Sequence, residues 1–64
     1  MSVKAARLRW YSVTTGLQRT HGDRFEVRRV ESHHWTVQDF RTGDGAQLGS
    51  LKACKQWAQG RAQK

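Results

Sequence analysis

Between His34 and Ala58 the chain runs an alternating strand, a Gly-Asp-Gly turn and an amphipathic helix into one stretch, HWTVQDFRTGDGAQLGSLKACKQWA. Trp35, Val37 and Phe40 stand at one end and Leu48, Leu51, Cys54, Trp57 and Ala58 at the other. With Ala58 set aside, they are 7 of the 17 large apolar residues of a very small protein. The core has to form here, and everything upstream has to dock onto this strand and helix.

With 64 residues the chain is one domain near the lower limit for independent folding. Its single cysteine allows no intrachain disulfide, and a lone thiol suits a reducing compartment. Three tryptophans, two phenylalanines, one tyrosine and a modest set of Val, Leu and Ala must supply the core. Burial minus chain entropy leaves a chain of this length about 3–5 kcal/mol, so a homodimer or a bound partner is compatible with its size.

Read from the amino terminus, residues 1–6 (MSVKAA) carry no periodicity and are expected to form a flexible basic tail. Aromatic and β-branched residues in Arg7–Thr14 predict a first strand. Leu8, Trp10 and Ser12 would share one face and Arg9, Tyr11 and Val13 the other. Which of Trp10 and Tyr11 points outward is left open. Gly16 permits a bend, after which Leu17–Thr20 could continue the pairing, and His21-Gly22-Asp23 reads as a hairpin turn. Arg24–Val30 predicts the second strand, with Phe25 and Val27 on one side and Arg24, Glu26 and Arg28 opposite. The Arg29-Val30 break in alternation suggests a bulge.

His34–Phe40 predicts the third strand, with Trp35 and Val37 buried, His34, Thr36 and Gln38 on the other face, and Phe40 capping the sheet end. Thr42–Gly45 is a turn, and Ala46–Leu48 adds a few extended residues. Ser50 is a good N-cap for a helix from Leu51 to Gln59 or Ala62. Its arc of Leu51, Cys54, Trp57, Ala58 and Ala62 is apolar, and Arg61 at the frayed end reaches water. The expected fold is therefore α+β: a three-stranded antiparallel β-meander with one C-terminal helix packed on one face (β-β-β-α). It forms a single domain over 7–62.

The net charge of +7, from 12 Lys+Arg against 5 acids, speaks to partners rather than fold. Nucleic acid comes first and an acidic protein surface second. No segment is long or apolar enough to span or anchor in a membrane. No apolar run follows the charges of Met1–Arg9, so no secretory leader is expected and the location is cytoplasmic. The second face of the sheet has nothing in the sequence to cover it. It shows Arg24, Glu26 and Arg28 beside His34, Thr36 and Gln38, with Arg9 on the first strand and Arg41 at the rim. Arg and Gln read base edges through paired hydrogen bonds, and Thr meets a phosphate or a thymine methyl. A solvated, charged face that blocks aggregation is the plainer alternative.

Other chemistries find little footing. His33 and His34 are adjacent, so a strand turns them to opposite faces, and no CxxC or HxxxH spacing supplies the four ligands of structural zinc. No metal or cofactor is expected. The five carboxylates are scattered without a paired base, and Gly43-Asp44-Gly45 is too short to cradle a phosphate, so no enzyme is expected.

The stretch from Arg24 to Ala58 resembles the β-β-β-α arm-type DNA-binding domain at the amino terminus of many phage and transposon tyrosine integrases, a layout shared by the plant ethylene-response-factor domain. Trp35 and Val37 match the strand, Gly43 and Gly45 the turn, Leu48-Gly49-Ser50 the step into the helix, and Ala53, Trp57 and Ala58 the helix. The resemblance implies a sheet face docked in the major groove through Arg24, Arg28, Thr36, Gln38 and Arg41. Glu26 departs from it by placing a carboxylate in the middle of that face. The expected function is a small non-catalytic DNA-binding module, an accessory or regulatory protein of a phage or mobile element. The alternative is a protein-interaction module, such as a phage-encoded inhibitor, that grips an acidic host surface. An exposed aromatic among apolar neighbours would favour that second reading.

Overall fold

The computed structural model describes residues 7–62. The expected basic tail at 1–6 lies outside them. Five strands and one helix follow in order: β1 (Trp10–Thr14), β2 (Leu17–Thr20), β3 (Phe25–Glu31), β4 (His34–Asp39), β5 (Gly45–Leu48) and α1 (Leu51–Ala62). The strands form one antiparallel sheet in the order β1-β2-β3-β4-β5, each paired with its sequence neighbour.

The sheet is thus five-stranded, not the three-stranded meander that the sequence suggests, and the difference lies in two short segments. Gly16 adopts φ +76, a left-handed conformation that glycine enters without a Cβ clash. The chain therefore reverses at Thr15-Gly16 instead of bending, and β2 folds back along β1 with Trp10 opposite Thr20 and Tyr11 opposite Arg19. The reversal sits close against β3, because the Arg29 amide donates to the Gly16 carbonyl at 2.7 Å. A Cβ at Gly16 would lie 3.2 Å from that of Arg29. At the other edge, Gly45–Leu48 pairs with β4 as a full strand, Leu48 opposite Trp35 and Ala46 opposite Val37.

The register shift between Arg29 and Glu31 is the bulge that the broken alternation indicates. A second shift lies between Ser12 and Thr14. Phe40, expected to cap the sheet end, follows β4; its amide donates to the Arg24 carbonyl at 2.8 Å and its ring is half exposed.

Helix α1 starts where Ser50 caps it: the Ala53 amide donates to Ser50 Oγ at 3.1 Å, satisfying one of the orphan donors of a first turn. The helix packs over β3, β4 and β5. Phe25, Val27 and Val37 from the sheet meet Cys54 and Ala58 from the helix to form the fully buried core. Trp35, Leu51 and Trp57 pack around it partly exposed, as does Trp10. The apolar alternation of β3 and β4 and the helical arc thus face each other as their spacing requires. Among the described residues no helix is long and apolar enough to cross a membrane.

Candidate nucleic-acid interface

With α1 on one side, the register fixes which side chains share the uncovered side. Two lateral rows result. In one, Tyr11, Arg19, Glu26, Gln38 and Gly45 stand opposite one another from β1 to β5. In the other, Thr14, Leu17, Arg28, Thr36 and Gln47 do the same. Arg28, Thr36 and Gln38 are therefore brought together across β3 and β4. A shallow hollow of 370 Å³ lies beside them, with Gly45 and Gln47 on its β5 side.

Glu26 is the acid in the middle of this face, with Asp23 at its Tyr11 end, and Glu26 is paired locally. Arg19 Nε donates to Glu26 Oε1 at 2.9 Å, and that bond raises the Arg19 pKa further. Arg28 Nη2 lies 3.8 Å from Glu26 Oε2, beyond hydrogen-bond reach, and its side chain is 61% exposed. Arg28 is thus a mostly exposed cation held in a loose ion pair with Glu26. Thr36 Oγ1 donates weakly to the Arg28 carbonyl at 3.4 Å, while Gln38 is exposed. Tyr11, not Trp10, belongs to this side. Its hydroxyl donates to Asp23 Oδ1 at 2.6 Å, which raises the phenol pKa, and its ring meets His21 edge-on.

Arg24 does not join the face. It precedes β3, and its guanidinium turns to the end of the sheet, where Nε and Nη2 donate to the two oxygens of Asp39 at 3.3 and 3.2 Å. It also stacks over the Phe25 ring at 4.7 Å. Asp39 is fully buried and collects the Arg41 amide at 2.9 Å and Arg61 Nε at 3.2 Å as well. Burial pushes its carboxyl up, but the hydrogen bonds from Arg24, the Arg41 amide and Arg61 outweigh that and hold its pKa at about 2. Arg61, expected to reach water from a frayed end, instead clasps Asp39 and Asp44 and stacks on Trp57. Arg24 is therefore a fold-holding residue and leaves the proposed site. Arg41 stays at the rim, its amide used and its side chain exposed. Arg9 lies just before β1, where its carbonyl accepts from the His21 amide at 3.0 Å, and it is exposed.

Arg19 and Gln47 are members of this face that the sequence reading missed. They sit on β2 and β5, the two strands it did not resolve, and Gly16 was the signal that could have placed Arg19. Among the described residues no cluster of three or more His, Cys, Asp or Glu is placed to hold a metal ion.

All five acids are engaged within the chain: Asp23 with Tyr11, Glu26 with Arg19, Glu31 with His34, Asp39 with Arg24 and Arg61, and Asp44 with Arg61. Arg7, Arg9, Arg29, Arg41, Lys52 and Lys55 meet no carboxylate among the described residues. Arg7, Arg9, Arg29, Arg41 and Lys52 are exposed, while Lys55 is half-buried over the Trp10 ring. No family model, curated protein or solved structure matches the chain, so this arrangement of side chains stands on its own physical reading.

Proposed function

We propose that the protein is a small non-catalytic DNA-binding module that presents the uncovered face of its sheet to duplex DNA. The observation that carries this reading is the Arg28-Thr36-Gln38 array, brought into register on a face whose central acid, Glu26, is paired with Arg19 and, more loosely, with Arg28 itself. Arg28 and Gln38 offer paired donors and acceptors to base edges, and Thr36 a hydroxyl. Arg9 and Arg41, exposed at the margins, hold phosphates.

Five strands at about 4.8 Å spacing span about 19 Å, wider than the major groove of about 12 Å. The whole sheet cannot lie in the groove, so a strip of β3, β4 and β5 enters by its β5 edge. Gln47 joins Thr36 and Gln38 in that strip, and Arg28 marks its inner border. Arg19 and Tyr11 remain outside, over the flanking backbone.

The test is a titration of isotope-labelled protein with random duplex DNA at two salt concentrations, followed by amide shifts. Shifts confined to Arg28, Thr36, Gln38, Gln47 and Arg41 support the reading. Shifts spread over α1 and both sheet faces would mean diffuse attraction.

A further inference from the structure

A helix is about 10–12 Å across, whereas five strands span about 19 Å, so α1 covers only part of the inner sheet face. It sits over β3, β4 and β5, and the segment leading into β1 runs past its flank, with Arg7 and Leu8 beside Gln56 and Gln59. A groove of 640 Å³ lies between that segment and the helix. Leu8, Trp10 and Leu51 provide apolar walls, and Arg7, Lys52 and Lys55 stand around them. The Leu8 amide donates to Gln59 Oε1 at 2.8 Å and fastens the two walls together. Lys55 Nζ lies 5.5 Å from the centre of the Trp10 ring. Trp10 is partly exposed, so an aromatic among apolar neighbours stands open to solvent on the side away from the DNA-facing rows.

None of the three cations meets a carboxylate among the described residues, and the first turn of α1 contains no acid. Lys52 in that turn adds its charge to the positive end of the helix dipole, which favours an incoming anion. We propose that this groove docks a short acidic segment of a partner protein. One apolar side chain of that segment rests against Trp10 and Leu51, and its carboxylates meet Arg7, Lys52 and Lys55. An apolar recess ringed by cations asks for a ligand that is both greasy and anionic. A duplex backbone offers charge without an apolar group to fill the recess, so charge and shape together favour the peptide. Aromatic anchors of this kind dominate the energetics of protein interfaces.

The experiment uses the full chain and three probes: an acidic peptide with a central Leu-Phe pair, the same peptide with Ser in place of both, and an oligothymidylate of equal charge. The first should bind saturably, shifting the amides of Leu8, Trp10 and Leu51, and the Ser version should bind at least about tenfold more weakly. Lys52→Glu, on an exposed helix position, should weaken the first probe by a similar factor while the thermal melt stays unchanged. Equal binding of the Leu-Phe and Ser peptides would reduce the groove to a patch of positive charge and overturn the proposal. Tighter binding of the oligothymidylate at the groove amides would also overturn it, assigning the groove to nucleic acid. The first failure leaves the sheet-face reading standing, since that rests on different residues, whereas the second sends it to the comparison of Arg28 with Lys52 in duplex binding.

Discussion

Asp39 has no exposed surface and still keeps its charge, because Arg24, Arg61 and the Arg41 amide converge on its two oxygens. Arg24 and Arg61 are 29% and 30% exposed, so losing their shared carboxylate costs the charge-assisted hydrogen bonds, about 1.5–3 kcal/mol, rather than the full penalty of a stranded buried charge. Asp39→Ala should therefore lower the urea midpoint sharply in a domain with so little stability to spare, and an unchanged midpoint would contradict this role for Asp39. The same site sets acid sensitivity. A carboxyl whose pKa falls from 3.8 unfolded to about 2 folded stabilises the protein above pH 3.8, and that contribution is lost as pH drops towards 2. The thermal midpoint should fall across that interval, and a flat profile would contradict the ionised, buried state of Asp39. Little of this hub was legible in the sequence. Asp39 falls near the end of the predicted strand His34–Phe40, and nothing in its neighbours marks a carboxylate there as buried. Arg61 lies 22 positions away, and only the docked helix brings it back.

At the scale of elements, the two longest strands and the helix were readable because their patterns run long enough to declare a period. β3 spans 7 residues and β4 spans 6, so each shows its alternation more than once. β2 and β5 have 4 residues each, giving two per face, which is too few to tell a strand from a loop. The choice at Gly16 between bend and reversal depended on a positive φ that glycine permits but does not demand. Helix facing was legible from the arc alone, and Cys54 reports on it. Its thiol is fully buried, and burial raises its pKa. Labelling with a thiol reagent should be about a hundredfold or more slower in the folded protein than in denaturant, since exposure requires an opening of about 3 kcal/mol. Equal rates would mean that α1 presents another face to the sheet.

At the scale of the molecule, every acid has a partner within the fold, and the exposed cations outnumber the exposed acids Asp23, Glu31 and Asp44. Of the side chains expected at the interface, Arg28, Thr36 and Gln38 meet on the open sheet face because strand parity places them there. Arg24 shares their parity in sequence and its carbonyl still accepts from the Phe40 amide at 2.8 Å, but it precedes β3 and its guanidinium turns round the sheet end to Asp39. A protein with this charge will adhere to DNA at low salt whatever its role, so the deciding comparison is positional. Arg28→Ala and Lys52→Ala each remove one exposed positive charge, the first from the open sheet face and the second from the helix side. Three phosphate contacts give a log–log salt slope of about −2.7 for duplex binding. Arg28→Ala should either reduce that slope by about 0.9 or, if Arg28 meets a guanine edge, relax sequence preference by about 1–3 kcal/mol. Lys52→Ala should leave both slope and preference close to those of the parent. Equal losses from the two variants would show that the DNA attraction is diffuse and would contradict a binding site on the sheet face.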